Sequence, residues 1–288
     1  MGTIWELDFY SRPIFDENKK KQWEVLLCES SLDVGDSSDS IFRYSQFCPN
    51  NQVNSVWLQK AIEEAIAQSG QTPQKIRFFR TQMNNMITKA CENLGIPAAP
   101  SRRTFNLQQW LKQRMEEVYP TYPGFTPAGP NPSVFMPGQE PQALPDALRG
   151  NKWMFVTLEA AAFEEMGEWE IGFKEAFPLQ ARGVKPDDRI PGTIIFSDRA
   201  LPLAAWISGL ELACLRFESG PQAKLVLETG VSESWILANI KDAATLAEAK
   251  GFEQAKQKAQ QVHFLAVQSD PQAESFAGFW LLEDLDVS

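Results

Sequence analysis

The chain opens on a period of two. Ile4, Glu6 and Asp8 alternate with Trp5, Leu7 and Phe9, which predicts a strand over residues 4–9 with one wetter face, ended by Ser11-Arg12-Pro13. The apolar run WEVLLC within residues 22–28 predicts a second strand, antiparallel to the first across a polar loop at 16–20. Residues 33–39 read as another polar loop, and residues 41–47 as a third strand. The period then changes to that of a helix. Asn54 or Ser55 can cap a helix over residues 56–67, with Trp57, Ala61, Ile62 and Ala65 on one side. A short strand over 75–79 precedes a helix over 81–94 that Gly95 and Pro97 stop. Leu107, Trp110, Leu111 and Met115 predict a further helix over 105–118.

The second half repeats the alternation. Strands are predicted over 153–158 and 192–196, and a short helix over 201–207. Residues 211–217 and 224–228 read as a hairpin across Ser219-Gly220-Pro221. A long helix over 243–260 leads to strands over 262–267 and 278–282. Each half therefore runs strands, a spacer, a long helix and a strand. The fold class predicted is α/β, with two domains of mixed β-sheets flanked by helices. The shared order admits a duplication of one α/β unit as well as two unrelated units.

Between the halves, residues 119–150 hold eight prolines and four glycines. Proline removes backbone donors and glycine raises the entropy cost of order, so neither a helix nor a central strand is expected. The division predicted is an N-terminal α/β domain at 1–118, a linker or docked arm at 119–150, and a C-terminal domain at 151–288. Phe125, Phe135 and Met136 favour docking of the arm; a proline-rich ligand is the alternative. Charge divides near the same place. Residues 1–130 balance 14 basic against 14 acidic side chains, whereas residues 131–288 carry 13 against 23. A chain of 288 residues with formal charge −10 is not a uniformly basic nucleic-acid protein, but a local basic patch remains open to it.

Candidate chemistry is sparse. The four cysteines form no CxxC pair, and the single histidine, His263, excludes a multi-histidine metal site. There is no GxSxG elbow, GxGxxG loop or P-loop motif. Glu6, Asp8 and Glu24 can be imagined around a magnesium ion in a divergent metal-dependent nuclease. No predicted strand carries the acid-x-Lys element of endonuclease-like sites, and solvated strand edges explain the three acids more simply. Catalytic residues, metal ligands and cofactors are therefore expected to be none. Two aromatic segments, GEWEIGFKEAFPL and the terminal GFWLLEDL, match no catalytic motif.

The sharper signal is basic. Residues 75–114 hold eight Lys or Arg against Glu92 alone. Lys75, Arg77, Arg80, Lys89, Arg102 and Arg103 can meet phosphates. Phe79 can stack a base, with alternation sending one of Phe78 and Phe79 into the core. Gln82, Asn84 and Asn85 can read base edges. The competing reading is a solvated helix face that pairs with the acidic C-terminal part.

The segments IWELDFYSRPI (4–14), WEVLLCE (23–29), KIRFFRTQM (75–83), GIPAAPSRRT (95–104) and GFWLLEDL (278–285) together resemble the Tab2/Atab2-like family. That resemblance implies a non-catalytic factor that binds single-stranded or loop RNA and supports translation of photosystem I, and in plants photosystem II, subunits. It implies a photosystem-subunit mRNA and translation or assembly proteins as partners, and assigns no residue. A protein-binding assembly factor without RNA contact is the alternative. No apolar run of signal-peptide or membrane-spanning length occurs. The expectation is a cytoplasmic, cyanobacterial-type member, or a stromal protein if the chain is an organellar mature form.

Overall fold

Why the first strand is longer than its alternation suggests is visible in its register. In the computed structural model, which describes residues 3–36, 41–127 and 140–285, β1 runs Ile4–Phe15 and passes through Arg12 and Pro13. Pairing with β2 (Lys21–Glu29) is regular from Trp5↔Glu29 to Ser11↔Trp23, then breaks and resumes at Phe15↔Lys21. Pro13 falls inside that break, where its missing N–H removes no regular ladder bond. The expected stop at Ser11-Arg12-Pro13 is thus a bulge, not an end.

Two units are formed, one by residues 3–30 and 41–127 and the other by residues 31–36 and 140–285. In the first, β1, β2 and β3 (Arg43–Cys48) make an antiparallel meander. Helix α1 (Ser55–Ser69) then carries the chain to β4 (Lys75–Phe78), which is parallel to β1. Helix α2 (Asn84–Asn93) leads to β5 (Ala98–Pro100), parallel to β4, and α3 (Phe105–Gln113) follows. The strand order is β3-β2-β1-β4-β5. Asn54 caps α1 by accepting from the Trp57 N–H at 2.9 Å, and Gly70 closes it in the left-handed region at φ 72°. The expected helix over 81–94 starts with a tight turn at Thr81–Met83, and that over 105–118 widens at Arg114–Val118 into a π-type turn.

Both faces of this sheet are covered. Trp5, Leu7, Phe9, Val25, Leu27, Ile76 and Phe78 pack against α1 and α2. On the opposite face Leu26, Cys28 and Phe79 pack against Leu107 and Trp110 of α3. Phe78 and Phe79 are therefore both in cores, on opposite sides. The wetter face expected of β1 is instead an interior ionic layer.

The second unit has two sheets. One has the order β7-β9-β13-β14-β8, from Lys152–Glu159, Arg189–Phe196, Val262–Gln268, Phe276–Glu283 and Ile171–Glu175. The other has the order β10-β11-β12-β6, from Leu212–Glu218, Ala223–Thr229, Glu233–Ile240 and Gln142–Ala143. Helices α4 (Ala200–Ser208) and α5 (Ala243–Lys258) complete it. Leu215, Leu225 and Leu227 of one sheet share a core with Ile195, Leu265, Val267 and Trp280 of the other. The units do not share a strand order.

The proline-rich run is held at both ends. Tyr119 is buried, Ile14 and Phe125 form a β-bridge, and the Thr126 N–H donates to the Pro13 carbonyl, all in the first unit. Gln142 and Ala143 pair with Trp235 and Ile236 in the second. Phe135 and Met136 lie outside the described residues. Among the described residues no helix is long and apolar enough to cross a membrane.

Candidate nucleic-acid interface at the end of the first sheet

In open α/β sheets a ligand commonly binds beyond the carboxyl ends of parallel strands, where the connections leave in opposite directions. In the first unit that point lies between β1 and β4: β2 flanks β1 on one side and β4 on the other. The chain delivers Tyr10 and Arg12 there from β1, Phe79, Arg80 and Gln82 just past β4, and Arg102 and Arg103 just past β5.

Three acids form the floor. Glu6, Asp8 and Glu24 are each at most 1% exposed. Solvated strand edges are therefore the wrong account of them: burial of an isolated carboxylate is costly, and cations or N–H donors have to offset it. Asp8 accepts from Arg80 Nε at 2.6 Å through one oxygen and from Arg12 Nη1 at 2.7 Å through the other. Burial pushes the Asp8 carboxyl up, but Arg12 and Arg80 together outweigh it and hold it below its ordinary value. Glu24 accepts from Arg12 Nε at 3.0 Å, from the Tyr119 hydroxyl at 2.5 Å and from Arg114. Glu6 accepts from the Leu107 N–H at 2.7 Å and the Ser30 hydroxyl at 2.8 Å. The carboxylates share a face, as a metal site requires, but arginine and N–H donors occupy them. Among the described residues no group of three or more His, Cys, Asp or Glu is arranged to hold a metal ion.

The predicted basic patch separates into two populations. Arg77, Arg80 and Arg103 are buried, as is Arg114. Arg77 stands beside Glu6 in the β1–β4 register. The Arg80 guanidinium lies over two rings, 4.1 Å from the Tyr10 centroid and 4.7 Å from that of Phe79. Arg103 lies 5.3 Å from the Phe105 ring. Arg80 and Arg114 pair within their own unit, so a solvated face neutralised by the acidic C-terminal part does not describe them. Lys75 and Arg102 are half-buried, and Lys89 and Lys112 are exposed. Because α2 and α3 cover opposite faces of the sheet, Lys89 and Lys112 do not form one patch. Gln82 and Asn85 are exposed and Asn84 half-buried, on the turn into α2. Phe79 packs inward, with no face open to a base.

Several residues of this site carry weak sequence signals. Tyr10 reads as one more aromatic in a strand, Arg12 as part of a turn, and Tyr119 as the start of the proline-rich run. The one available clue is stoichiometric: three acids on adjacent apolar strands need cations from somewhere. In the second unit, His263 is buried and structural: its Nε2 accepts from the Leu215 N–H at 2.8 Å, and Nδ1 meets the Gln261 carbonyl at 2.9 Å.

The family described as RNA-binding protein Tab2/Atab2 matches this chain twice: its N-terminal part over residues 4–114, its C-terminal domain over residues 131–283. The chain is similar to "Protein TAB2 homolog, chloroplastic" of Zea mays, at 40% identity over 98% of this chain and 71% of that protein. The protein of the same name from Arabidopsis thaliana is 39% identical over 98% and 74%. Among solved structures, the HTLV-2 integrase catalytic core domain aligns with 42% of this chain and 77% of its own at 15% identity and a TM-score of 0.27, too slight a likeness to bear on fold or function.

Proposed function

The chain belongs to the Tab2/Atab2 family of RNA-binding proteins, and from that premise we propose that it is a non-catalytic RNA-binding factor that supports synthesis of photosystem subunits. The observation that carries the reading is the coverage: both domains of an RNA-binding family match, in order, across nearly the whole chain. The chloroplastic relatives support a place of action where photosystem messages are translated, the plastid stroma or the cyanobacterial cytoplasm. The use of Glu6, Asp8 and Glu24 as arginine and N–H acceptors supports a binding rather than a hydrolytic role.

Single-stranded or loop RNA is the proposed ligand, with Gln82, Asn84 and Asn85 beside the bases and cations on the phosphates. Lys89 and Lys112 are the exposed cations of the 75–114 segment, and Lys75 and Arg102 are half-buried. Each that meets a phosphate contributes roughly 0.7 to the slope of log affinity against log salt on a single strand. Salt-titrated binding of the full chain to RNA from a photosystem-gene leader tests this. Alanine at each of the four positions should lower the slope singly where that cation touches RNA. A folded full chain that binds no RNA at low salt would instead favour a protein-binding assembly factor, a reading that the acid excess of residues 131–288 supports.

A further inference from the structure

Arg80 is anchored as if for a ligand that the fold itself does not supply. Its side chain is 6% exposed, and of its five N–H donors only Nε has an acceptor, Asp8 Oδ1 at 2.6 Å. Nη1 and Nη2 meet no acceptor among the described residues, and neither is among the buried polar atoms sealed from solvent. Buried polar groups in folded proteins are nearly always satisfied, so a guanidinium this enclosed with an open double-donor edge needs an account. The carboxylates nearest in the network are committed elsewhere: Asp8 Oδ2 to Arg12, and Glu24 to Arg12, Arg114 and Tyr119.

We propose that the Nη1/Nη2 edge of Arg80, just past the carboxyl end of β4 and beside Asp8 and Tyr10 of β1, is a phosphate-oxygen site that takes a phosphodiester of bound RNA or a free phosphate group. The chemistry is specific. Two parallel N–H donors in one plane match two oxygens of a phosphate, which a lysine ammonium cannot reproduce. The guanidinium lies over the rings of both Tyr10 and Phe79, and Asp8 fixes its Nε end. Little side-chain freedom is left to lose on binding, which is the main cost an arginine brings to an anion site. Tyr10 is half-buried, and its hydroxyl, which has no hydrogen-bond partner among the described residues, is a further donor next to Arg80. The diester form of the proposal rests on the RNA-binding reading; the free-phosphate form does not.

The test uses the full chain in three arms. Phosphate and chloride buffers of equal ionic strength are compared by thermal unfolding. A twelve-nucleotide oligouridine is titrated by fluorescence anisotropy. Phenylglyoxal labelling, read by peptide mass spectrometry, follows Arg80 with and without each ligand. R80K keeps the charge and loses the fork, while K60A removes an exposed charge on α1 as a control. Phosphate should stabilise the wild type and K60A but not R80K, and should slow labelling of Arg80. If a diester is the natural occupant, R80K should also bind oligouridine about tenfold more weakly, and RNA should protect Arg80. Protection by phosphate with no RNA binding by any variant would keep the site, identify a free phosphate group as its ligand and sink the RNA reading separately. An unchanged phosphate response in folded R80K would overturn the proposal. Should R80K fail to fold, absence of Arg80 protection in the wild type by either ligand would overturn it as well.

Discussion

Asp8 is the residue on which the first unit turns, since it joins two arginines that come from different places in the chain. Its ionised form is favoured in the fold by Arg12 and Arg80 beyond the cost of burial. A carboxyl held below its unfolded value adds stability that is complete above the unfolded pKa and is lost as pH falls through the folded one. D8N should therefore cost roughly 3–5 kcal/mol at pH 7, because it strands buried cations. Urea unfolding at pH 7 and again below pH 3 should show that difference shrinking with acid; a pH-independent difference would show that Asp8 is not ionised in the fold. The thiols are the second residue-scale case. All four cysteines are buried, and burial pushes Cys91 up to about 12 and Cys48 up to about 11. Burial, with Glu6 adding to it, also raises Cys28 well above its ordinary value. Thiol alkylation of the native chain at pH 8 should be slow at every cysteine and should become fast only on unfolding. Rapid labelling of one cysteine in the native state would mean that its cover opens locally.

At the scale of elements, ends and close approaches set the stability. Asn54→Ala removes the side-chain acceptor for the Trp57 N–H and should cost about 1 kcal/mol, measurable by urea unfolding. Gly192 of β9 faces Phe264 of β13 as its register partner, and an added Cβ would lie 2.3–2.4 Å from three carbons of the Phe264 ring. Gly192→Ala should cost roughly 1–3 kcal/mol or more through forced displacement of that ring; near-UV circular dichroism and unfolding together would detect it, and an unchanged transition would show that the ring has room to shift. The elements were legible where a period held for several residues: α1, the β10–β11 hairpin, α5, β13 and β14 lie where alternation or helical spacing puts them. β12 was not, although ESWILANI is a strand, because its pattern of buried and half-buried positions keeps no clean period. β6 and β5 were too short to show any period. Pro13 misled in the other direction, since a proline that ends most strands is accommodated here by a register break.

For the whole molecule, charge in the sequence and charge on the surface are different quantities. The segment 75–114 shows a net +7 in one dimension, yet four of its cations turn inward. The acids they meet lie far off in sequence: Arg80 is 72 residues from Asp8, and Arg114 is 90 from Glu24. No local pattern announces such a pair, so the ionic layer of the site was illegible while the basic segment above it was not. The same distinction bears on how the chain divides. The proline-rich run begins as part of the first unit, through Tyr119, Phe125 and Thr126, and ends as part of the second, through Gln142 and Leu144. The chain also lends residues 31–36 to the second unit, where Asp33 pairs with Lys174 at 2.8 Å and the Ala176 N–H donates to the Leu32 carbonyl. Eight prolines and four glycines raise the entropy cost of order across 119–150, so a protease should cut within that run before it cuts inside either unit. A nick there should leave the two fragments associated under native conditions, since residues 31–36 still belong to the second unit. Limited digestion followed by gel filtration and intact-mass analysis reads both results. First cleavage inside either unit, with 119–150 intact, would count against that boundary. Immediate separation of the fragments would show that residues 31–36 do not dock as described.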